Sequence, residues 1–346
     1  MKPVIFGCAG PVLSQQERTF FSREKPAGFI LFARNIENRE QVSALTADLK
    51  RSVGRHKVPI LVDQEGGRVQ RLQSPEWRRY PPMGTFGRAA QTDPTLAASA
   101  LRLNCRVIAD DLRRVGINVN CLPLLDVRRE DGDAVIGDRA FSDDPALVAA
   151  LGRIAVDGLL EGGVLPVIKH LPGHGRATVD SHEKLPVVDT PVAELETADF
   201  LPFQKLKDAA FGMTAHITYS DIDAENPATL SRLIIARIIR MKIGFTGLLM
   251  TDDISMGALA KGGQDIGETS ARALAAGCDL ILHCNGDMGE MQQIARRAEP
   301  AGNGLEKHIA DLVRSAERTP MADRGDLTRR YDELMAKFPN DTIQET

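Results

Sequence analysis

Eight short apolar runs divide the chain, at 3–10, 28–34, 59–66, 117–127, 164–171, 212–219, 247–254 and 278–284. Apolar residues fill most positions in each, as in "GFILFAR" and "GLLMTDDI". Continuous runs of this length predict strands buried on both faces. Between several of them the apolar period lengthens to that of a helix. One such stretch, 95–116, ends on Gly116. Another, 144–163, opens on an aspartate cap and stops at Gly162-Gly163, and a third covers 268–277. Eight buried strands alternating with helices predict an α/β fold, a single-domain (β/α)8 barrel. A doubly wound open sheet is the competitor, but "GCAGP" after the first run lacks the G-x-G-x-x-G spacing of a dinucleotide turn. No dinucleotide or other cofactor is therefore expected. Residues 1–300 are predicted to form the barrel. Residues 301–346 form a C-terminal helical extension of the same domain, packed outside it.

Composition adds exclusions. The 346 residues are 43% hydrophobic and 26% charged, with a net charge of -4, as in ordinary globular proteins. Mild acidity argues against nucleic acid or an anionic membrane as partner. The basic pairs Arg78-Arg79 and Arg113-Arg114 read as solvated surface. No stretch approaches the ~18 apolar residues of a membrane span. In "MKPVIFGCAG", Cys8 comes too early for a lipoprotein signal, and the run reads as a first strand. The five cysteines are odd in number and contain no C-x-x-C pair. They are expected to be buried, reduced thiols, which points to the cytoplasm. No exposed apolar helix calls for a partner, so a monomer is expected.

Ionisable residues close several of the runs. Asp63 ends the third, Asp126 the fourth, Lys169-His170 the fifth and Asp252-Asp253 the seventh, while His216 lies in the sixth. In a (β/α)8 barrel these strand ends share one mouth, where charge must pair or work. Each also has a plainer reading. Asp63 would cap a helix or pair with Arg68, Asp126 would cap a turn, and Lys169 would neutralise a carboxylate. His216 would be a satisfied core histidine, and Asp253, facing away from Asp252, a structural residue.

The stretch "HLPGHGRATVDSH" (170–182) holds three of the seven histidines. Its glycines and proline exclude a helix. In extended chain Asp180 and His182 share a side, so the carboxylate can orient the ring and raise its basicity. A metal site would need His170, His174 and His182 to converge beside Lys169, without any common zinc spacing. Proton transfer is the favoured reading, with no metal.

The segments "VDQEGGRVQRL" (62–72), "IGDRAFSDDP" (136–145), "KHLPGHGRATVDSH" (169–182) and "TDDISMGAL" (251–259) together resemble glycoside hydrolase family 3. The likeness is to its single-domain bacterial β-N-acetylglucosaminidases and spans roughly residues 1–290. The resemblance implies a retaining β-glycosidase with Asp252 as nucleophile, His182 as general acid/base and Asp180 as its partner. It implies that Asp63, Arg71, Arg139, Lys169 and His170 grip sugar hydroxyls. The implied substrate is a terminal N-acetylglucosamine β-linked to the 1,6-anhydro-N-acetylmuramic acid of a muropeptide, a step in peptidoglycan recycling. Leu171 and Ile254 stand where the family often has phenylalanine and leucine, both apolar exchanges. Met256 and Asp126 are candidates for the N-acetyl pocket.

Other functions remain distinguishable. A non-catalytic sugar-binding barrel needs neither nucleophile nor acid. A metal-dependent hydrolase predicts loss of activity with chelator. Within the family, β-glucosidases typically carry a second domain, for which this chain leaves little room after its barrel. A histidine base, unlike a carboxylate, does not repel phosphate, so phosphorolysis competes with hydrolysis.

Overall fold

In a computed structural model, each of the eight apolar runs contributes one parallel strand, and the eight close into a barrel. The structure describes residues 1–130, 132–181, 184–259 and 265–338. The barrel strands are β1 (Lys2–Phe6), β2 (Pro26–Leu31), β3 (Ile60–Val62), β4 (Val119–Asn120), β5 (Leu165–Leu171), β6 (Phe211–Thr214), β7 (Leu248–Asp253) and β8 (Leu280–His283). They neighbour one another in chain order, and β1 pairs with both β2 and β8 to close the ring.

Side chains alternate along a strand, so every second residue points to the barrel axis. Leu165 and Val167 of β5, Leu248 and Met250 of β7, and Leu61 of β3 fill the interior with Ile5, Ile30, Met213 and Leu282. Two residues beyond each of the first three pairs or singles stand Lys169, Asp252 and Asp63. The same alternation that packs the lower barrel thus delivers three charges to its mouth. The opposite set, including Phe6, Phe29, Leu31, Val62, Ile168 and Leu249, packs against the surrounding helices.

The helices start and stop where the sequence signals lie. Asp93 caps the helix Pro94–Arg114, and Gly116 turns the chain out of it with φ 80°. Asp144 caps Pro145–Glu161, and Gly163 turns with φ 77°. The two tail helices lie outside the strand ring in different places. Asn303–Glu317 sends Ile309, Val313 and Ala316 against the barrel's interior residues, sealing its bottom. Arg324–Met335 packs on Pro94–Arg114, where Tyr331 bonds Asn104 and Arg324 pairs with Asp110 and Asp111. The basic pairs expected at the surface help here: Arg78 pairs with Asp332, and Arg113 donates to the Thr319 carbonyl. All five cysteines are free and buried. Among the described residues no helix is long and apolar enough to cross a membrane.

Candidate active site

At the C-terminal mouth of the barrel lies a cavity of about 430 Å³, within the range of small-molecule sites. Asp63, Arg71, Arg139, Lys169, His170, Asp180 and Asp252 all line it. Sequence positions as far apart as 63 and 252 therefore meet in one place. His182 lies outside the described residues.

One wall is a buried network of charges. The Lys169 ammonium is 2.9 Å from Asp63 Oδ1 and 2.6 Å from Glu65 Oε1. Glu65 in turn accepts two bonds from Arg139, from Nε and Nη2, each at 2.9 Å. Arg71 reaches Asp63 Oδ2 at 3.4 Å and lays its guanidinium on the Phe32 ring. Burial alone would push these carboxylates toward neutrality. For Asp63 the Lys169 and Arg71 charges outweigh burial, and for Glu65 those of Arg139 and Lys169 do, so both carboxyls sit below their ordinary range. The carboxylates likewise raise Lys169 against the effect of burial. Lys169 is thus a fixed cation and hydrogen-bond donor, not a base. Asp63 takes Lys169 and Arg71 as partners rather than Arg68, which stands 3.9 Å from Asp138.

The other wall carries Asp252. Its Oδ1 accepts from the Asp253 amide at 2.8 Å, and its Oδ2 faces His170 Nε2 at 4.0 Å. Burial raises its carboxyl, but His170, His216, the Asp253 amide and Lys169 overcome that and hold it ionised below the usual range. His170 is oriented from behind. Its Nδ1 lies 2.7 Å from Asp126 Oδ2, so the proton on Nδ1 points to the carboxylate and Nε2 to the cavity. Lys169 and His170 are joined by a cis peptide, and both line the cavity.

Asp126 does more than cap a turn. It is fully buried, and its Oδ1 accepts from the amides of both His170 and His174. The Pro172-Gly173-His174-Gly175 turn wraps around it. Gly175 has no room for a side chain, since a Cβ there would lie 1.8 Å from the Val127 carbonyl oxygen. The plainer readings hold for two neighbours. His216 is a satisfied core histidine between Thr229 Oγ1 and the Asp253 carbonyl. Asp253 accepts from Ser255 and the Cys284 amide, which pins the loop after β7, but it does not face away from the site: it lines the same cavity as Asp252. Met256 lines the cavity, whereas Asp126 supports it from beneath.

The sequence reading missed Glu65 and the orienting role of Asp126. Glu65 follows the strand, inside a short antiparallel pair of Gln64–Gly66 with Val69–Gln70, where no period marks its direction. A strand-end motif rich in both acids and bases was the available signal.

The depressed carboxyls predict acid lability. A carboxyl whose folded value lies below its unfolded one contributes stability above the unfolded value and loses it as pH falls. For Glu65 and Asp63 the ordinary values are 4.5 and 3.8. The melting temperature is expected to hold from neutrality to about pH 5 and to fall steeply below. The Glu65→Gln variant, melted across the same series, should start lower and fall less steeply. A parent whose melting temperature is unchanged at about pH 3.5 would contradict this.

A parallel barrel with an ionised carboxylate on its axis, facing a wall of buried cations across a cavity of this size, has the construction of a barrel glycoside hydrolase. Comparison with known proteins agrees. The model of the glycosyl hydrolase family 3 N-terminal domain matches residues 9–318, and the chain belongs to that family. A β-hexosaminidase of Chromobacterium violaceum is 39% identical over 313 residues, covering 90% of this chain and 86% of that protein. One of Bordetella avium is 38% identical, covering 82% and 80%. The crystal structure of NagZ from Neisseria gonorrhoeae in complex with N-trifluoroacetyl-D-glucosamine superposes with a TM-score of 0.83 at 31% identity, covering 96% of this chain and 98% of that one. Among the described residues no three or more His, Cys, Asp or Glu are grouped as a metal site requires.

Proposed function

We propose that this protein is a retaining exo-β-N-acetylhexosaminidase that removes terminal β-linked N-acetylglucosamine, with a muropeptide ending in 1,6-anhydro-N-acetylmuramic acid as the aglycone. The observation that carries the reading is Asp252, half-buried yet held ionised, in one cavity with Asp180 and the Lys169 cation. The β-hexosaminidase names of the relatives and the sugar analogue bound by the gonococcal neighbour support it.

In this mechanism an Asp252 oxygen attacks the anomeric carbon as the glycosidic bond breaks. The leaving oxygen takes a proton from protonated His182, and a glycosyl ester forms on Asp252. The now neutral His182 takes a proton from water, whose oxygen attacks the same carbon and frees Asp252. Asp180 orients the His182 ring throughout. Lys169, Arg71 and Arg139, with Asp63 and His170, hold the sugar hydroxyls and favour distortion of the ring. The five buried free thiols support a reducing compartment, the cytoplasm.

The test is release of nitrophenol from para-nitrophenyl N-acetyl-β-glucosaminide, with and without phosphate. Hydrolysis predicts free N-acetylglucosamine as the product in both. A sugar 1-phosphate formed when phosphate is present would replace hydrolysis with phosphorolysis. No release at all, together with no cleavage of the muropeptide disaccharide, would overturn the reading.

A further inference from the structure

His174 lines the cavity and has no role in the steps above. It is 3% exposed, and its ring meets that of His170 edge-on with centroids 5.5 Å apart. Its two polar ends face different halves of the site. The main-chain N–H donates to Asp126 Oδ1 at 2.6 Å, on the carboxylate that orients His170 toward Asp252. The ring Nε2 lies 3.1 Å from Ser181 Oγ, while the buried Nδ1 has no partner among the described residues. Burial and the adjacent His170 depress the ring to about 4, so it is neutral at physiological pH.

Ser181 is itself buried and held from two sides. Beyond the imidazole bond, its carbonyl accepts from the Ala258 amide at 3.2 Å, in the segment that follows β7. Its chain neighbours are Asp180 and His182. A polar ring in a buried wall is costly unless bonded, and an apolar residue of like volume would pack there without that cost. Packing therefore does not account for a histidine at 174. The link to Asp126 is made by the main chain, so what the imidazole itself adds is the Nε2 bond to Ser181 Oγ, beside Asp180.

We propose that His174 is a positioning residue that, through Nε2 and Ser181 Oγ, sets the Asp180–Ser181 segment and hence the acid/base at its working distance from Asp252. This rests on the acid/base reading of Asp180 and His182 given above.

The test uses Ser181→Ala, His174→Phe, the conservative His174→Gln and the Ser181→Ala/His174→Phe double variant. A displacement of about 1 Å at a reacting group costs on the order of 10²-fold. Ser181→Ala and His174→Phe are each expected to lose about 10- to 100-fold in kcat on an alkyl N-acetyl-β-glucosaminide, whose leaving oxygen needs the acid's proton, with KM changed far less. On the dinitrophenyl glycoside, which departs unaided, added azide should restore turnover and give the β-glycosyl azide. His174→Gln, whose amide nitrogen can reach the place of Nε2, should recover most of the rate. The double variant should be no worse than the worse single one. Ser181→Ala removes a single oxygen and serves if His174→Phe fails to fold.

Asp180→Asn and His182→Ala run beside them. If these two show the leaving-group dependence and azide rescue while Ser181→Ala and His174→Phe do not, the positioning role is overturned and the acid/base reading survives. Singles whose losses add in the double variant, or that azide fails to relieve on the dinitrophenyl glycoside, overturn it as well. If Asp180→Asn and His182→Ala also lack the signature, the acid/base reading falls and takes this proposal with it.

Discussion

Asp252→Asn is expected to lower kcat by roughly 10⁴- to 10⁶-fold, the range seen when a covalent nucleophile is removed. At 1.36 kcal/mol per tenfold, that is about 5–8 kcal/mol of transition-state stabilisation. The exchange is nearly isosteric. An asparagine Oδ1 keeps the acceptor for the Asp253 amide, which now sits at 2.8 Å. What goes is the negative charge facing His170 Nε2 and, in the proposed mechanism, the ability to form the glycosyl ester. Sugar affinity should change by less than about tenfold, since the Asp63–Lys169–Glu65 network is untouched. Asp252→Ala belongs in the same experiment, because an asparagine that deamidates would regenerate the parent. The readouts are kcat on the chromogenic glycoside, product affinity by calorimetry and melting temperature. A folded Asp252→Ala protein within tenfold of the parent kcat would remove Asp252 from the reaction. Mass spectrometry of the parent during turnover of a slow substrate should show the sugar attached to the peptide holding Asp252.

The route to Asp252 from the sequence was short, because the barrel imposes a simple rule. Strands buried on both faces stay apolar until they reach the mouth, so an acid or base closing such a run is conspicuous. Asp63, Lys169 and Asp252 were all legible on that ground, and each points to the axis from the position that alternation predicts. The strand bounds were less legible. The run 117–127 yields a strand of only Val119–Asn120, since Leu122, Leu124, Leu125 and Val127 are equally buried in the loop beyond it. Past Asn120 the pairing breaks down to a single bridge, Leu124 with Lys169, and such broken pairing leaves the same trace in sequence as a continuous strand. Partnerships were less legible still. Glu65 and Arg139 are 74 residues apart, and nothing local declares that one salt bridge joins them. Asp126 looked like a turn cap and is one, but its second oxygen holds His170, a contact across 44 residues. The tail was expected as helices packed outside the barrel, and only the closed ring shows that Asn303–Glu317 covers the barrel floor.

Lys169→Met should destabilise the protein by about 3–5 kcal/mol, the cost of breaking a buried ion pair from one side. Lys169 is only 3% exposed and serves two carboxylates at once, at 2.9 and 2.6 Å. A methionine fills much the same space, so lost packing contributes little. The penalty comes from Asp63 and Glu65, left in a buried site with Arg71 and Arg139 as their remaining cations. Its pH dependence separates this cause from a packing defect. Lys169 is raised above its ordinary 10.5, so its contribution is complete at neutrality and would fade only in strong alkali, as pH rises through the folded value. The carboxylates titrate at the other end. As pH falls below the ordinary 4.5 of Glu65 and 3.8 of Asp63, the variant's carboxyls, freed of the ammonium, take up protons before the parent's do. The stability gap between parent and variant should therefore narrow on acidification. Urea unfolding at about pH 7, 5 and 4 measures it. A gap under about 1 kcal/mol at neutrality, or one unchanged by pH, would mean that the Lys169 charge does not hold this wall together. Activity supplies a second constraint. Two of the ammonium's N–H bonds go to Asp63 and Glu65, and because Lys169 lines the cavity the third is the one assigned to the proposed grip on the sugar. Its loss should cost about 1.5–3 kcal/mol of binding to substrate and transition state alike, roughly 10- to 100-fold in kcat/KM. Because Lys169 touches no reacting bond, that loss should appear mainly in KM, which sets it apart from Asp252, whose removal is felt in kcat.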